Sequence, residues 1–304
     1  MADLTVDIGL ERALVAPTML ASGILATSAG AILRVARYGP GAIVTKSVGR
    51  EPNPSYLGPN VVEVFGGYLN AMGLPNCGSE AFAKELIDAR ASNEVPLIAS
   101  VYGPTPDDVS AVITTLGDGF DAVEVNASCP HAGRGHGGIH IARDRELLLA
   151  ILDAAKGATR RPVLVKLPFS HSLVDQARDL VANDADGIVA INTLPAMDID
   201  VGFRRPVLGN TFGGLSGPAI LPVALRAVYA LHEVVDVPVI ASGGAVSGED
   251  VVKFMLAGAS AVQLGTAVAY HGPEVFGRVH RELGDYLDTN GFARAADLVG
   301  GAHG

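Results

Sequence analysis

Polar residues that could bind a ligand stand at the ends of several short apolar runs in this sequence. Lys46 and Lys166 each finish such a run, and so do Asn126 and the pair Asn192-Thr193. One lysine at such a position could equally well form an internal ion pair. Two lysines and two asparagines at equivalent positions favour a shared functional site.

Cys129 is the candidate acid–base group. A cysteine is more often an inert buried thiol, but Cys129 lies between Asn126 and the glycine-rich stretch 131–138, whose composition suits a mobile lid. A thiol, with an ordinary pKa of about 8.5, acts as a general base if its site lowers that pKa or if the pH is alkaline. Cys77 has no such neighbours and is expected to be structural.

Two glycine-containing turns indicate a phosphate site. Ser242-Gly243-Gly244 and Gly265-Thr266 directly follow the last two apolar runs that read as strands. In α/β barrels the loops after the last two strands commonly bind phosphate, because glycine lets backbone N–H groups approach the oxygens. A Gly-Gly pair alone could be a simple tight turn, whereas the two sites together favour phosphate.

Composition excludes several classes of function. The formal net charge of −10 argues against binding to nucleic acid. The sequence has no run of about 20 apolar residues and no secretory signal, so we expect a cytoplasmic protein. His131, His136 and His140 do not have the spacing of a metal site, and no metal is expected.

The alternation of strands and helices predicts a single (β/α)8 barrel, a TIM barrel of α/β class, over residues 1–304. Helices are predicted between the strands, and six of them have definite bounds: Glu80–Ala91, Asp107–Leu116, Arg145–Lys156, Leu173–Ala182, Pro218–His232 and Glu249–Ala257. The eight predicted strands are Thr18–Ala21, Ala42–Lys46, Pro96–Val101, Ala122–Asn126, Val163–Leu167, Gly187–Ile191, Val239–Ala241 and Ala261–Leu264. Long irregular loops after strands two, four and six, including Ser47–Ser79 and Leu194–Gly217, are expected to build the site.

These motifs together resemble the dihydroorotate dehydrogenases along nearly the whole chain. The matching segments are Ala21–Gly23, Thr45–Ser47, Asn70–Asn76, Glu124–Pro130, Lys166, Ile191–Thr193, Gly213–Pro218, Ser242–Gly244 and Gly265–Thr266. A cysteine base is typical of class 1 of that family. Residues 191–194 and 213–218 resemble subclass 1B.

The resemblance implies a flavoprotein that binds FMN at the mouth of the barrel. Gly243, Gly244, Gly265 and Thr266 would hold the phosphate, with Gly217 nearby. The ribityl chain and the ring would contact Ser22, Lys46, Ser47, Ser100, Asn126, Lys166 and Ile191. Ser100 stands where the family usually has asparagine.

The resemblance also implies the reaction, which is oxidation of (S)-dihydroorotate to orotate in de novo synthesis of UMP. Cys129 would remove the proton from C5 while the hydride of C6 passes to flavin N5. Lys166 would stabilise the charge of the reduced flavin.

Substrate contacts implied by the resemblance include one departure from the family. They are Lys46, Asn70, Met72, Gly73, Leu74, Asn126, His131, Asn192 and Thr193. His131 replaces the asparagine of the family motif, which leaves a related dihydropyrimidine as an alternative substrate. Two further alternatives are a non-catalytic flavin-binding subunit that relays electrons and a flavin-free barrel acting on a sugar phosphate.

Subclass 1B members work with a second subunit that carries FAD and an iron–sulfur cluster. The resemblance therefore implies that electrons pass to NAD through such a partner. A homodimer is also expected.

Overall fold

A computed structural model of the chain describes residues 2–127 and 141–304. Eight parallel strands close into a barrel in the order β1-β14-β13-β8-β7-β6-β5-β2. The predicted (β/α)8 fold is therefore confirmed. The strands in chain order are β1 (Thr18–Leu20), β2 (Ala42–Val44), β3 (Val61–Val64), β4 (Gly67–Asn70), β5 (Leu97–Val101), β6 (Ala122–Asn126), β7 (Val163–Leu167), β8 (Gly187–Ala190), β9 (Leu194–Ala196), β10 (Ile199–Asp200), β11 (Arg205–Pro206), β12 (Gly213–Ser216), β13 (Val239–Ser242) and β14 (Ala261–Leu264).

Helices pack around the barrel, and all six predicted helices are confirmed with small shifts at their ends. The α-helices are α1 (Ala29–Ala36), α2 (Ser79–Arg90), α3 (Pro106–Leu116), α4 (Arg145–Ala158), α5 (Leu173–Ala182), α6 (Leu221–His232), α7 (Gly248–Leu256), α8 (Thr266–His271) and α9 (Val275–Asn290). The helix predicted to begin at Pro218 starts as a 3₁₀ turn, Pro218–Ile220, before α6. No bounds were predicted for helices α1, α8 and α9.

Most residues of the barrel strands are apolar, which favours burial on both faces of the sheet. Every residue of β5, β6, β7, β13 and β14 is buried, as expected for parallel strands covered by helices. Helix ends are set locally by capping. Ser247, for example, accepts a hydrogen bond from the backbone N–H of Asp250, whose carboxylate accepts one in return from the N–H of Ser247. The scaffold that presents the loops is therefore dictated largely by local sequence.

The two long loops predicted to be irregular contain strands, and that part of the prediction is wrong. Segments 61–70 and 194–216 pair as an antiparallel sheet in the order β3-β4-β12-β9, and β10 pairs with β11 as a hairpin. Strands β4 and β12 meet across 144 residues of sequence, where Asn70 Nδ2 donates to the carbonyl oxygen of Gly214. Each strand has only two to four residues. Such short, partly exposed, glycine-containing strands have too little alternation to be detected locally.

No helix in residues 2–127 and 141–304 is both long and apolar enough to cross a membrane.

Candidate active site

A cavity of about 410 Å³ lies at the carboxyl ends of the barrel strands. This is the end at which barrels of this kind carry their active sites, and the volume falls in the range of small-molecule sites, roughly 300–1,000 Å³. The barrel provides the floor and one wall. The small antiparallel sheet provides the opposite wall through Tyr68, Asn70 and Ser216.

Most of the residues that the sequence suggested for the site line this one cavity. Of 18 suggested residues that the structure describes, 15 are in its wall, since Lys46, Gly73 and Ser100 are not. Cys129 and His131 lie outside the described residues. The 15 are Ser22, Ser47, Asn70, Met72, Leu74, Asn126, Lys166, Ile191, Asn192, Thr193, Gly217, Gly243, Gly244, Gly265 and Thr266.

Two of the three residues outside the wall, Gly73 and Ser100, lie directly behind it. Gly73 is between the lining residues Met72 and Leu74, and its carbonyl oxygen accepts a hydrogen bond of 2.6 Å from Asn53 Nδ2. The Ser100 Oγ is 2.9 Å from the Oγ of Ser47 and is completely buried. Both residues therefore support lining residues rather than face the cavity.

Hydroxyl and amide groups form a continuous network along one side of the cavity. Ser47 Oγ is 3.1 Å from Ser22 Oγ and accepts a hydrogen bond of 3.3 Å from Asn126 Nδ2. The Asn126 Oδ1 in turn accepts one of 3.4 Å from Asn192 Nδ2. Asn192 Oδ1 accepts a 2.8 Å bond from the backbone N–H of Thr193. This network holds donors and acceptors in fixed positions for a polar ligand.

Lys46 is a buried ammonium without a carboxylate partner among the described residues. It is 7% exposed, and burial lowers its pKa below the ordinary 10.5. A methyl group placed on the cavity-lining Gly23 would be 4.0 Å from Lys46 Nζ, which locates the ammonium beside the cavity. An uncompensated buried cation is costly and is expected to gain from a bound anion.

Lys166 reaches the floor of the same cavity but has partners. Its Nζ donates a 2.7 Å hydrogen bond to Gln263 Oε1 and is 3.8 Å from Glu124 Oε1. Gln263 Nε2 donates a 2.5 Å bond to the other oxygen of Glu124. The floor of the cavity is thus a buried cation, amide and carboxylate in contact.

At one end of the cavity, glycine-containing turns form a wall whose backbone N–H groups suit an anion. Gly243, Gly244, Gly265 and Thr266 follow β13 and β14 there, and Thr266 Oγ1 donates to Ser216 Oγ at 2.9 Å. Gly244 has a φ of +91°, and a Cβ on it would lie 2.7 Å from the backbone nitrogen of Leu221. Only glycine fits this turn, which leaves backbone N–H groups accessible to a ligand.

Several lining residues were not identified from the sequence. Gln263 could have been found, because it interrupts the apolar strand β14 as Lys166 interrupts β7. Glu124, a charged residue inside β6 that lies behind the cavity wall, carries the same signal but was assigned no role. Tyr68 and Ser216 carry no such signal, since the sheet that brings them to the cavity forms by long-range pairing.

No group of three or more His, Cys, Asp or Glu residues in the described part of the chain could hold a metal ion.

Replacing Lys46 by methionine is expected to stabilise the ligand-free protein by about 1 kcal/mol at neutral pH, because it removes an uncompensated buried charge. Burial lowers the pKa of Lys46 in the folded state, so between that lowered pKa and 10.5 the unfolded state binds more protons than the folded state. Stability of the native sequence therefore rises with pH in that window, and the advantage of the variant shrinks toward pH 10.5. Urea unfolding of both proteins across this pH range measures the effect.

Lys84→Met provides a matched control, since Lys84 is an exposed lysine of α2. This control is expected to show no advantage that fades with pH. A Lys46→Met protein that is less stable at neutral pH, or whose advantage does not change with pH, would contradict the prediction.

The amino-acid sequence matches the family model for dihydroorotate dehydrogenase over residues 5–287. A protein of Methanothermobacter thermautotrophicus named dihydroorotate dehydrogenase B (NAD(+)), catalytic subunit, is 44% identical over 289 residues, which cover 94% of each chain. Proteins of the same name from Methanocella arvoryzae and Pyrococcus horikoshii are 45% and 43% identical, and the alignments cover 94% and 93% of both chains. The similarity therefore spans the barrel from β1 into α9.

Proposed function

The chain belongs to the dihydroorotate dehydrogenase family of flavoprotein oxidoreductases, and we propose that it oxidises (S)-dihydroorotate to orotate in the synthesis of UMP. One observation carries the proposal. Fifteen residues implied by the family resemblance, drawn from nine separate segments between Ser22 and Thr266, line a single cavity at the carboxyl ends of the barrel strands. We propose that residues 1–304 act as one domain in the cytoplasm.

FMN is the flavin that we propose for the cavity, and the residues present fit it. The backbone of Gly243, Gly244, Gly265 and Thr266 would hold the phosphate, with Gly217 beside them. Hydroxyl and amide groups of Ser22, Ser47 and Asn126 suit the ribityl chain and the polar edge of the ring, with Ile191 as an apolar contact. Bound FMN would supply the acceptor for the substrate hydride.

The charged residues divide the remaining tasks. Lys46, with no carboxylate partner in the described residues, would bind the substrate carboxylate or the flavin, and Lys166 would stabilise negative charge that develops at the floor. The amides of Asn70, Asn126 and Asn192 would orient the pyrimidine ring, with Thr193, Met72, Gly73 and Leu74 beside them. Cys129 is proposed as the base and His131 as a substrate contact.

Electron transfer to NAD is proposed to need a partner. Curated relatives bear names that contain NAD(+) and call them catalytic subunits, which supports a second subunit here. We propose that this subunit carries FAD and an iron–sulfur cluster and that the catalytic chain forms a homodimer.

Anaerobic stopped-flow spectroscopy of the isolated chain tests the proposal. We expect a yellow protein whose flavin is bleached by dihydroorotate in a single turnover and that does not reduce NAD without a partner. Released flavin is identified as FMN by its mobility and mass. Dihydrouracil serves as the control, because it lacks the carboxylate that Lys46 is proposed to bind.

The outcomes separate the alternatives. Faster bleaching by dihydrouracil would indicate a related dihydropyrimidine as substrate. Bleaching by neither compound would indicate an electron-relay subunit. A colourless protein that takes up no flavin would contradict the proposal altogether.

A further inference from the structure

Glu124 is a fully buried carboxylate beneath the floor of the cavity. Its relative exposure is zero, and it does not line the cavity, whereas Lys166 and Gln263 do. Its Oε2 accepts a hydrogen bond from Gln263, but its Oε1 has no hydrogen-bond partner among the described residues. That orphan oxygen is 3.8 Å from Lys166 Nζ. The carboxylate therefore balances the lysine mainly through its charge.

The three side chains meet across the inside of the barrel. Glu124 and Lys166 come from the adjacent strands β6 and β7, and Gln263 comes from β14, which is four strands from β6 in the ring of eight. The amide of Gln263 has its nitrogen toward the carboxylate and its oxygen toward the ammonium. The reverse orientation would bring the amide oxygen against the carboxylate of Glu124 and the amide nitrogen against the ammonium of Lys166. Its orientation is consequently determined by the two charges that it separates.

A buried carboxylate is retained in a fold only at a cost unless a cation offsets it. Two lysines, Lys166 in the cavity wall and Lys46 beside the cavity, are in opposite situations. Lys46 has no carboxylate at ion-pair distance among the described residues, and Lys166 has Glu124. Glu124 is therefore specific to Lys166, and it makes the floor neutral while the other lysine remains available to an anion.

We propose that Glu124 provides the counter-charge of Lys166 and that its charge lowers the reduction potential of the bound flavin. The role rests on the proposed function, since it requires a flavin in the cavity. A fixed negative charge beneath the site opposes the negative charge gained on reduction. A lower flavin potential favours transfer of electrons to an acceptor that itself has a low reduction potential, such as NAD.

Glu124→Gln tests the role, because it removes the charge while keeping the shape. The variant is expected to bind reduced FMN about tenfold more tightly relative to oxidised FMN than the native protein does. This raises the midpoint potential by about 30 mV for a two-electron couple. Anaerobic dye-equilibration titration of the purified flavoprotein measures the potential. Glu249→Gln is the matched control, because that carboxylate makes the same change in net charge but its side chain is 75% exposed on α7.

The sign of the shift separates the possible roles of Glu124. An unchanged potential would mean that the carboxylate serves only the fold. A lowered potential would mean that it acts by placing the lysine and that its charge is secondary. Either result would overturn the proposal that the charge of Glu124 lowers the flavin potential.

A second comparison remains informative if Glu124→Gln does not fold. Lys166→Met leaves the carboxylate unpaired, and adding Glu124→Gln to it creates a neutral pair. The double variant is expected to have a higher flavin potential than Lys166→Met and a higher denaturation midpoint without flavin. No difference in either quantity would overturn the proposal.

Failure of the proposed function can be distinguished from failure of the role proposed for Glu124. A protein that takes up no FMN would contradict the function itself. A protein that binds FMN with an unshifted potential would contradict only the role of Glu124.

Discussion

Replacing Lys166 by methionine is expected to slow the reduction of bound flavin by dihydroorotate by about 10²- to 10³-fold. The ammonium is held at the floor of the cavity by Gln263 and Glu124, so it requires little rearrangement when charge develops above it. Removing one such preorganised group typically costs about 3–4 kcal/mol of transition-state stabilisation. Single-turnover stopped-flow measurement at saturating substrate gives the rate without interference from electron transfer to a partner.

Loss of stability has to be separated from loss of rate in this experiment. Lys166→Met also leaves Glu124 buried without its cation, which is expected to destabilise the protein by about 3–5 kcal/mol. The double variant Lys166→Met/Glu124→Gln should regain most of that stability and still be slow. A double variant that recovers both stability and rate would show that Lys166 has only a structural role.

Replacing Cys129 by alanine is expected to slow flavin reduction by dihydroorotate by about 10²- to 10⁴-fold, the usual contribution of a general base. Flavin content should be unchanged, because none of the proposed flavin contacts involves this residue. The measurement is again single-turnover bleaching of the flavin, with flavin stoichiometry determined from the absorption spectrum.

Cys129→Ser is the informative companion to the alanine variant. A hydroxyl is a much weaker base than a thiolate, so the serine variant should be slow near neutral pH. The native rate should rise with pH as the thiol, ordinarily of pKa about 8.5, loses its proton. Undiminished bleaching in Cys129→Ala would remove Cys129 as the base, and a native rate independent of pH would argue that the thiolate is not the reacting form.

The barrel was predictable because its information is local. Eight runs of buried apolar residues and six amphipathic helices appear in the sequence at the spacing of strands and helices. The missed helix α8 has only six residues, which is too short for a periodic signal. The missed helix α1 is also short, although Ser28 caps it by accepting from the backbone N–H of Ala31.

The candidate site was predictable to the extent that its residues interrupt a regular pattern. Lys166 is conspicuous because it is a charged residue in an apolar strand. Gly243-Gly244 is conspicuous because it lies where an apolar strand ends. Strand polarity then brings such residues together, since the carboxyl ends of all parallel strands lie at the same end of a barrel.

Only the tertiary structure could decide how distant residues meet. It pairs β4 with β12 across 144 residues to place Tyr68 and Ser216 on the cavity, in segments that looked irregular. It also brings Gln263 across the barrel to join Glu124 to Lys166 and leaves Lys46 without a carboxylate among the described residues. Sequence determines which residues are charged and which strands carry them. Barrel closure determines which charges are neighbours, because distances across the barrel depend on the arrangement of all eight strands.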